Sequence, residues 1–143
     1  TGRGKISKIK LKNKVINLID ESYNSNPLSL NFSIKKFNNI NVNKSKKILI
    51  LGDMMELGKF SKKLHVQVSD IINSSNIDKV HVYGKHIRHT LNKIQTQKKG
   101  KIFNNKNEIL DFIQNKLGNN NYLMVKGSHS TGLNTIVSKL KSI

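Results

Sequence analysis

The feature that most constrains this chain is the uninterrupted apolar run Ile48-Leu49-Ile50-Leu51, which follows Lys47 and ends at Gly52. A strand with one face in water alternates apolar and polar residues, so a strand apolar at every position is covered on both faces. Helices on both sides of a mostly parallel sheet give that cover, and hydrophobic periodicity elsewhere supplies them. Extended segments at 6–11 and 15–20 flank the turn-like Lys12, Asn13 and Lys14 and are expected to pair. Pro27 behind Asn26 suits a helix start, with Leu30, Ile34 and Phe37 on one face and an end near Asn39. Leu64, Val68, Ile71 and Ile72 mark a second helix; Ile87, Leu91 and Ile94 a third; Ile109, Leu110, Ile113 and Leu117 a fourth; Leu133, Ile136, Val137 and Leu140 a fifth. Strands are expected at 80–83, 102–103 and 122–125. The order β-β-α-β-α-β-α-β-α-β-α predicts an α/β sandwich of about six mostly parallel strands with right-handed crossovers and helices on both faces. Ligands of such folds meet the loops at the carboxyl ends of the strands.

A chain of 143 residues is a usual size for one domain with one core. It has no apolar run long enough to span a bilayer, and residues 1–14 lack the apolar core of a signal peptide. With no cysteine there are no disulfides or thiolate metal sites, and the expected compartment is the cytoplasm. A formal charge of +18 invites a nucleic-acid reading. That reading is disfavoured, because only Arg3 and Arg88 are arginines, Trp is absent, and the lysines are scattered from Lys5 to Lys141. A solvated lysine-rich surface accounts for the charge.

Only eight residues are acidic, and four of them follow two predicted strands: Asp20 and Glu21 after the second, Asp53 and Glu56 after the third. A third polar loop, Lys126-Gly127-Ser128, follows the last strand, so three loop edges are placed to converge on one ligand. Each has a plainer reading. Asn26 either caps its helix or meets a ligand; Ser128 or Ser130 either caps the last helix or joins a site; Asp53 either closes a turn or binds. Residues 52–59 resemble a phosphate-binding P-loop only superficially, since five residues separate the glycines and Phe60 stands where Ser or Thr would hold magnesium. His86 and His89 are an incomplete ligand set, and no metal site is expected.

Together the three loops resemble those of MurF-type Mur ligases. Asp20-Glu21-Ser22-Tyr23-Asn24-Ser25-Asn26-Pro27 is similar to the family's D-(D/E)-S-Y-N-A-N-P, with Ser25 for the commoner Ala. Gly52-Asp53-Met54-Met55-Glu56-Leu57-Gly58 is similar to G-D-M-x-E-L-G, His65 stands where a histidine is frequent, and Lys126-Gly127-Ser128 matches a late K-G-S. Leu133-Asn134 departs from a common Met-Glu pair. The resemblance implies a Rossmann-like three-layer fold, with residues 1–5 ending a central ATPase domain and 6–143 forming the carboxyl-terminal, substrate-closing domain. It implies an amide ligase using ATP and Mg2+, both held mainly by the central domain, and isolated residues 6–143 inactive. Its substrates would be UDP-N-acetylmuramoyl-tripeptide and D-alanyl-D-alanine, and its partners the amino-terminal and central domains of the same enzyme, without nucleic acid or membrane, as a monomer. By this resemblance Arg3 and Asp20 or Glu21 would meet the nucleotide. Asn24, Asn26, Asp53, Glu56, Lys126, Gly127 and Ser128 would meet substrate. A sister Mur ligase that adds another amino acid is the alternative, with Tyr23-Asn24 and residues 52–58 favouring the dipeptide-adding type.

Overall fold

A computed structural model describes residues 5–143. Among these, six strands form one sheet: β1 (Ile6–Leu11), β2 (Lys14–Glu21), β3 (Lys47–Gly52), β4 (Lys79–Tyr83), β5 (Lys99–Phe103) and β6 (Tyr122–Lys126), in the order β1-β2-β6-β3-β4-β5. The hairpin β1–β2 is antiparallel, and every other pairing is parallel. The sandwich expected from the alternation is therefore present. Five helices cover it: α1 (Pro27–Asn38), α2 (Ser61–Asn73), α3 (Arg88–Leu91), α4 (Lys106–Asn115) and α5 (Leu133–Lys141).

The chain steps from β2 through β3 and β4 to β5 in one direction, and right-handed crossovers put α1, α2 and α3 on one face. It then reverses to reach β6, which sends α4 and α5 to the other. The two cores record this division. Leu30, Ile34, Phe37, Val68 and Ile72 pack with Ile19, Leu49, Leu51 and Met124. Ile109, Phe112, Ile136 and Val137 pack with Ile16, Leu18, Ile48, Ile50 and Val125. Every residue of β3 is buried, as its composition requires.

Local signals fix the helix ends. Asn26 Oδ1 accepts from Ser29 N at 2.9 Å while Ser29 Oγ accepts from Asn26 N at 3.1 Å, a reciprocal cap ahead of Pro27. Two expectations need correction. The third helix is a single turn, because Asn73 donates to Lys93 O at 3.1 Å and accepts from Gln95 N at 2.8 Å, pinning the chain that would have continued it. Lysine is also not wholly a surface residue here: Lys47, Lys98 and Lys126 are buried. Lys47 Nζ donates to Asn38 O at 2.7 Å and Asn76 Oδ1 at 3.1 Å, closing the carboxyl end of α1, and burial lowers its pKa against the opposing pull of Asp78.

Candidate functional site

Strand β6 lies between β2 and β3, yet its following helix leaves to the opposite face from theirs. Such a reversal opens a crevice at the carboxyl ends of the strands, and the three polar loops meet there. Glu21 and Lys126 occupy paired positions on β2 and β6. Both continue the rows of Ile19 and Met124, whose side chains point toward α1, so Glu21 and Lys126 face one cleft with it. The cleft holds about 280 Å³, and its lining includes Glu21, Tyr23, Asn24, Phe32, Lys36 and Lys126. Lys126 is 3% exposed; its Nζ donates to Asn24 O at 2.8 Å and stands 4.0 Å from Glu21 Oε1.

Asp20 points the other way. It accepts from Ser22 N at 3.0 Å and from Ser22 Oγ, and lies 3.6 Å from Lys141 Nζ on α5. Of the two adjacent acids, Glu21 is the one on the cleft. Asn26 serves as the cap described above, and its side chain is outside the cleft lining. Glu56 is exposed, in a left-handed turn at φ 63°. Arg3 lies outside the described residues.

The rest of the loop cluster is stitched internally. Ser128 N donates to Asp53 O at 3.0 Å, its Oγ accepts from Met55 N at 2.9 Å, and that Oγ donates to Ser25 O at 3.3 Å. One serine thus joins the loops after β2, β3 and β6. Its side chain caps no helix: it precedes the 3-10 turn His129–Thr131 without a side-chain cap bond, and the N-cap of α5 is Gly132. Gly127 makes the close approach possible, since a Cβ there would stand 3.1 Å from Gly52 Cα and 2.9 Å from Leu133 Cδ1.

His65 holds the same cluster from α2. Its ring is fully buried, with Nδ1 2.7 Å from Ser61 O and Nε2 3.0 Å from Met54 N. The carbonyl can only accept and the amide can only donate, so the imidazole is neutral with its proton on Nδ1. Burial holds its pKa below the ordinary value, although the Ser61 carbonyl and Asp53 pull it up. The family position of His65 was visible in the sequence; its amide partner was not.

Ser25 gives a first test. Its Oγ is, among the described residues, the one buried side-chain polar atom without a hydrogen-bond partner. Burying an unpaired hydroxyl costs about 1–3 kcal/mol. Ser25→Ala is therefore expected to leave urea-unfolding stability unchanged or raise it by about 1 kcal/mol; a loss of that size would mean the hydroxyl is satisfied.

The family model described as "Mur ligase, glutamate ligase domain" matches residues 6–129. The UDP-N-acetylmuramoyl-tripeptide–D-alanyl-D-alanine ligase of Buchnera aphidicola subsp. Baizongia pistaciae is 35% identical over 130 residues, 90% of this chain and 27% of that protein. The ligase of the same name from Haemophilus influenzae is 35% identical over 130 residues, 87% of this chain and 27% of its own. The chain thus spans about a quarter of the length of these relatives. The MurF ligase of Thermotoga maritima, crystallised with ADP, superposes at a TM-score of 0.75 with 19% identity, covering 99% of this chain and 31% of that one. MurF from Acinetobacter baumannii gives 0.74 with 21% identity, covering 100% and 31%. These two likenesses establish the shared fold.

Proposed function

This chain belongs to the Mur ligase, glutamate ligase domain family, and from that premise we propose that residues 6–143 are the carboxyl-terminal, substrate-closing domain of an ATP-dependent ligase joining D-alanyl-D-alanine to UDP-N-acetylmuramoyl-tripeptide. The observation that carries the reading is the cleft at the strand ends that gathers Glu21, Asn24 and Lys126 from two of the three family motifs. The reaction phosphorylates the tripeptide carboxylate with ATP, and the dipeptide amine then displaces phosphate from the acyl phosphate. Acyl phosphates hydrolyse, so a domain that closes over the site contributes by excluding water and aligning the amine.

In this reading Glu21 accepts from a ribose hydroxyl, Asn24 orients a substrate amide, and Lys126 with the turn at Gly127 faces the dipeptide carboxylate. Arg3, at the junction formed by residues 1–5, steadies the nucleotide. The described residues offer no group of three His, Asp or Glu suited to a metal ion. The Mur ligase resemblance assigns Mg2+ mainly to the central domain, where it would neutralise charge on the transferred phosphate. The whole enzyme acts as a cytoplasmic monomer.

The test uses the full-length ligase. Phosphate release is expected to require both UDP-N-acetylmuramoyl-tripeptide and D-alanyl-D-alanine, and the isolated domain is expected to release none. Lys126→Met keeps the apolar stem but removes a buried, hydrogen-bonded charge, and kcat/KM for the dipeptide is expected to fall about 100-fold. Release indifferent to the dipeptide would reject the assignment, and full activity in the Lys126 variant would return that side chain to a structural role.

A further inference from the structure

Asp53 stands at the end of the central strand β3, whose neighbours are β6 on one side and β4 on the other. It reaches both. Its main-chain carbonyl accepts from Ser128 N at 3.0 Å in the loop after β6. Its side chain turns the opposite way: Oδ1 accepts from His86 N at 3.0 Å and from Ile87 N at 2.7 Å, in the loop after β4. Those amides precede the one-turn helix α3 and have no earlier turn to pair with. Asp53 itself is 8% exposed and lies outside the cleft lining.

The next two residues are held as firmly, Met54 N by His65 Nε2 and Met55 N by Ser128 Oγ. His65 in turn fixes the segment after β4 from behind, where Thr90 Oγ1 donates to His65 O and the His86 ring lies 5.7 Å from the His65 ring. Residues 53–55 thus bond directly to the loops after β6 and β4, and through Ser128 Oγ they are linked to the loop after β2. The fourth loop carries exposed Lys85 and half-buried His86, which no family motif singled out.

We infer that Asp53 is a positioning residue, which acts by holding the loop at residues 84–87 as a fourth wall of the site rather than by touching substrate. Both of its side-chain bonds end on a single oxygen, so an amide of the same shape preserves them while a methyl group does not. This rests on the ligase reading for its kinetic consequence, whereas the structural consequence is independent of it.

The experiment compares Asp53→Asn and Asp53→Ala in the full-length ligase by hydrogen exchange of the peptide spanning 84–91 and by steady-state kinetics. Asp53→Ala is expected to speed exchange there at least about tenfold and to lower kcat/KM about 100-fold through misplacement of the loop. Asp53→Asn is expected to keep both within about threefold of wild type. The inference is overturned if exchange in the Ala variant matches wild type, or if Asn loses activity like Ala while its loop stays protected, since the carboxylate charge would then be acting on a ligand. Absence of dipeptide-dependent turnover in the wild type would defeat the ligase reading alone, and the exchange measurement would still decide the role of Asp53.

Discussion

Acidification from about pH 7 to pH 4 is expected to lower the unfolding free energy of this domain by about 3 kcal/mol through His81 alone. The side chain is buried on β4, 5% exposed, with its ring 4.3 Å from that of Phe112 and 5.8 Å from that of Phe103. Its Nδ1 accepts from Lys101 N at 2.8 Å. Burial, and then the charges of Lys101 and Lys79, push the imidazole from 6.5 down to about 4. Protonation would also set an N–H against the Lys101 amide. The unfolded chain therefore takes up a proton near pH 6.5 that the folded chain refuses until about pH 4. The contribution is complete above 6.5, falls as pH drops through that window, and has lost about 2 kcal/mol by pH 5. His65, also held low by burial, adds in the same direction. Urea unfolding at several pH values checks this, with His81→Asn as the control that can still accept from Lys101 but does not titrate. A wild-type slope no steeper than that of the variant would remove His81 as the cause.

Much of the sheet was legible because its signal is local. The run at 48–51 could only be a strand covered twice, and Asn26 with Pro27 marked a helix start that the structure realises as a reciprocal cap. What escaped depends on residues far apart in the chain. Asp20 and Glu21 are adjacent and chemically alike, and both flanks of β2 are apolar, so nothing local says which acid faces α1. That follows from the direction in which the chain crosses to β3. Lys47 opens an apolar run and looks like a solvated edge, yet its ammonium closes a helix through Asn38 and a turn through Asn76. The loop after β4 carries no family string, and its place at the site appears only through a carboxylate 33 residues earlier. The sequence located the loops; their mutual hydrogen bonds required the fold.

The same long-range contact predicts the largest single-residue loss of stability, Gly84→Ala, at about 3 kcal/mol or more. Two independent penalties meet at this position. Gly84 has φ 131°, a conformation that L side chains rarely adopt, which alone costs about 1–3 kcal/mol. An added Cβ would also stand 2.5 Å from the carboxyl carbon and Oδ1 of Asp53, and that carboxylate is not free to withdraw because His86 N and Ile87 N hold it. Gly58 separates the two effects: its φ is 58°, and a Cβ there meets nothing within 4 Å. Gly58→Ala is expected to cost only the conformational part, about 1 kcal/mol. Urea midpoints of the two variants, measured at the same pH, test the comparison. Equal losses would show that the Asp53 carboxylate yields to the methyl group, and with it that the loop after β4 is less firmly held than its hydrogen bonds indicate.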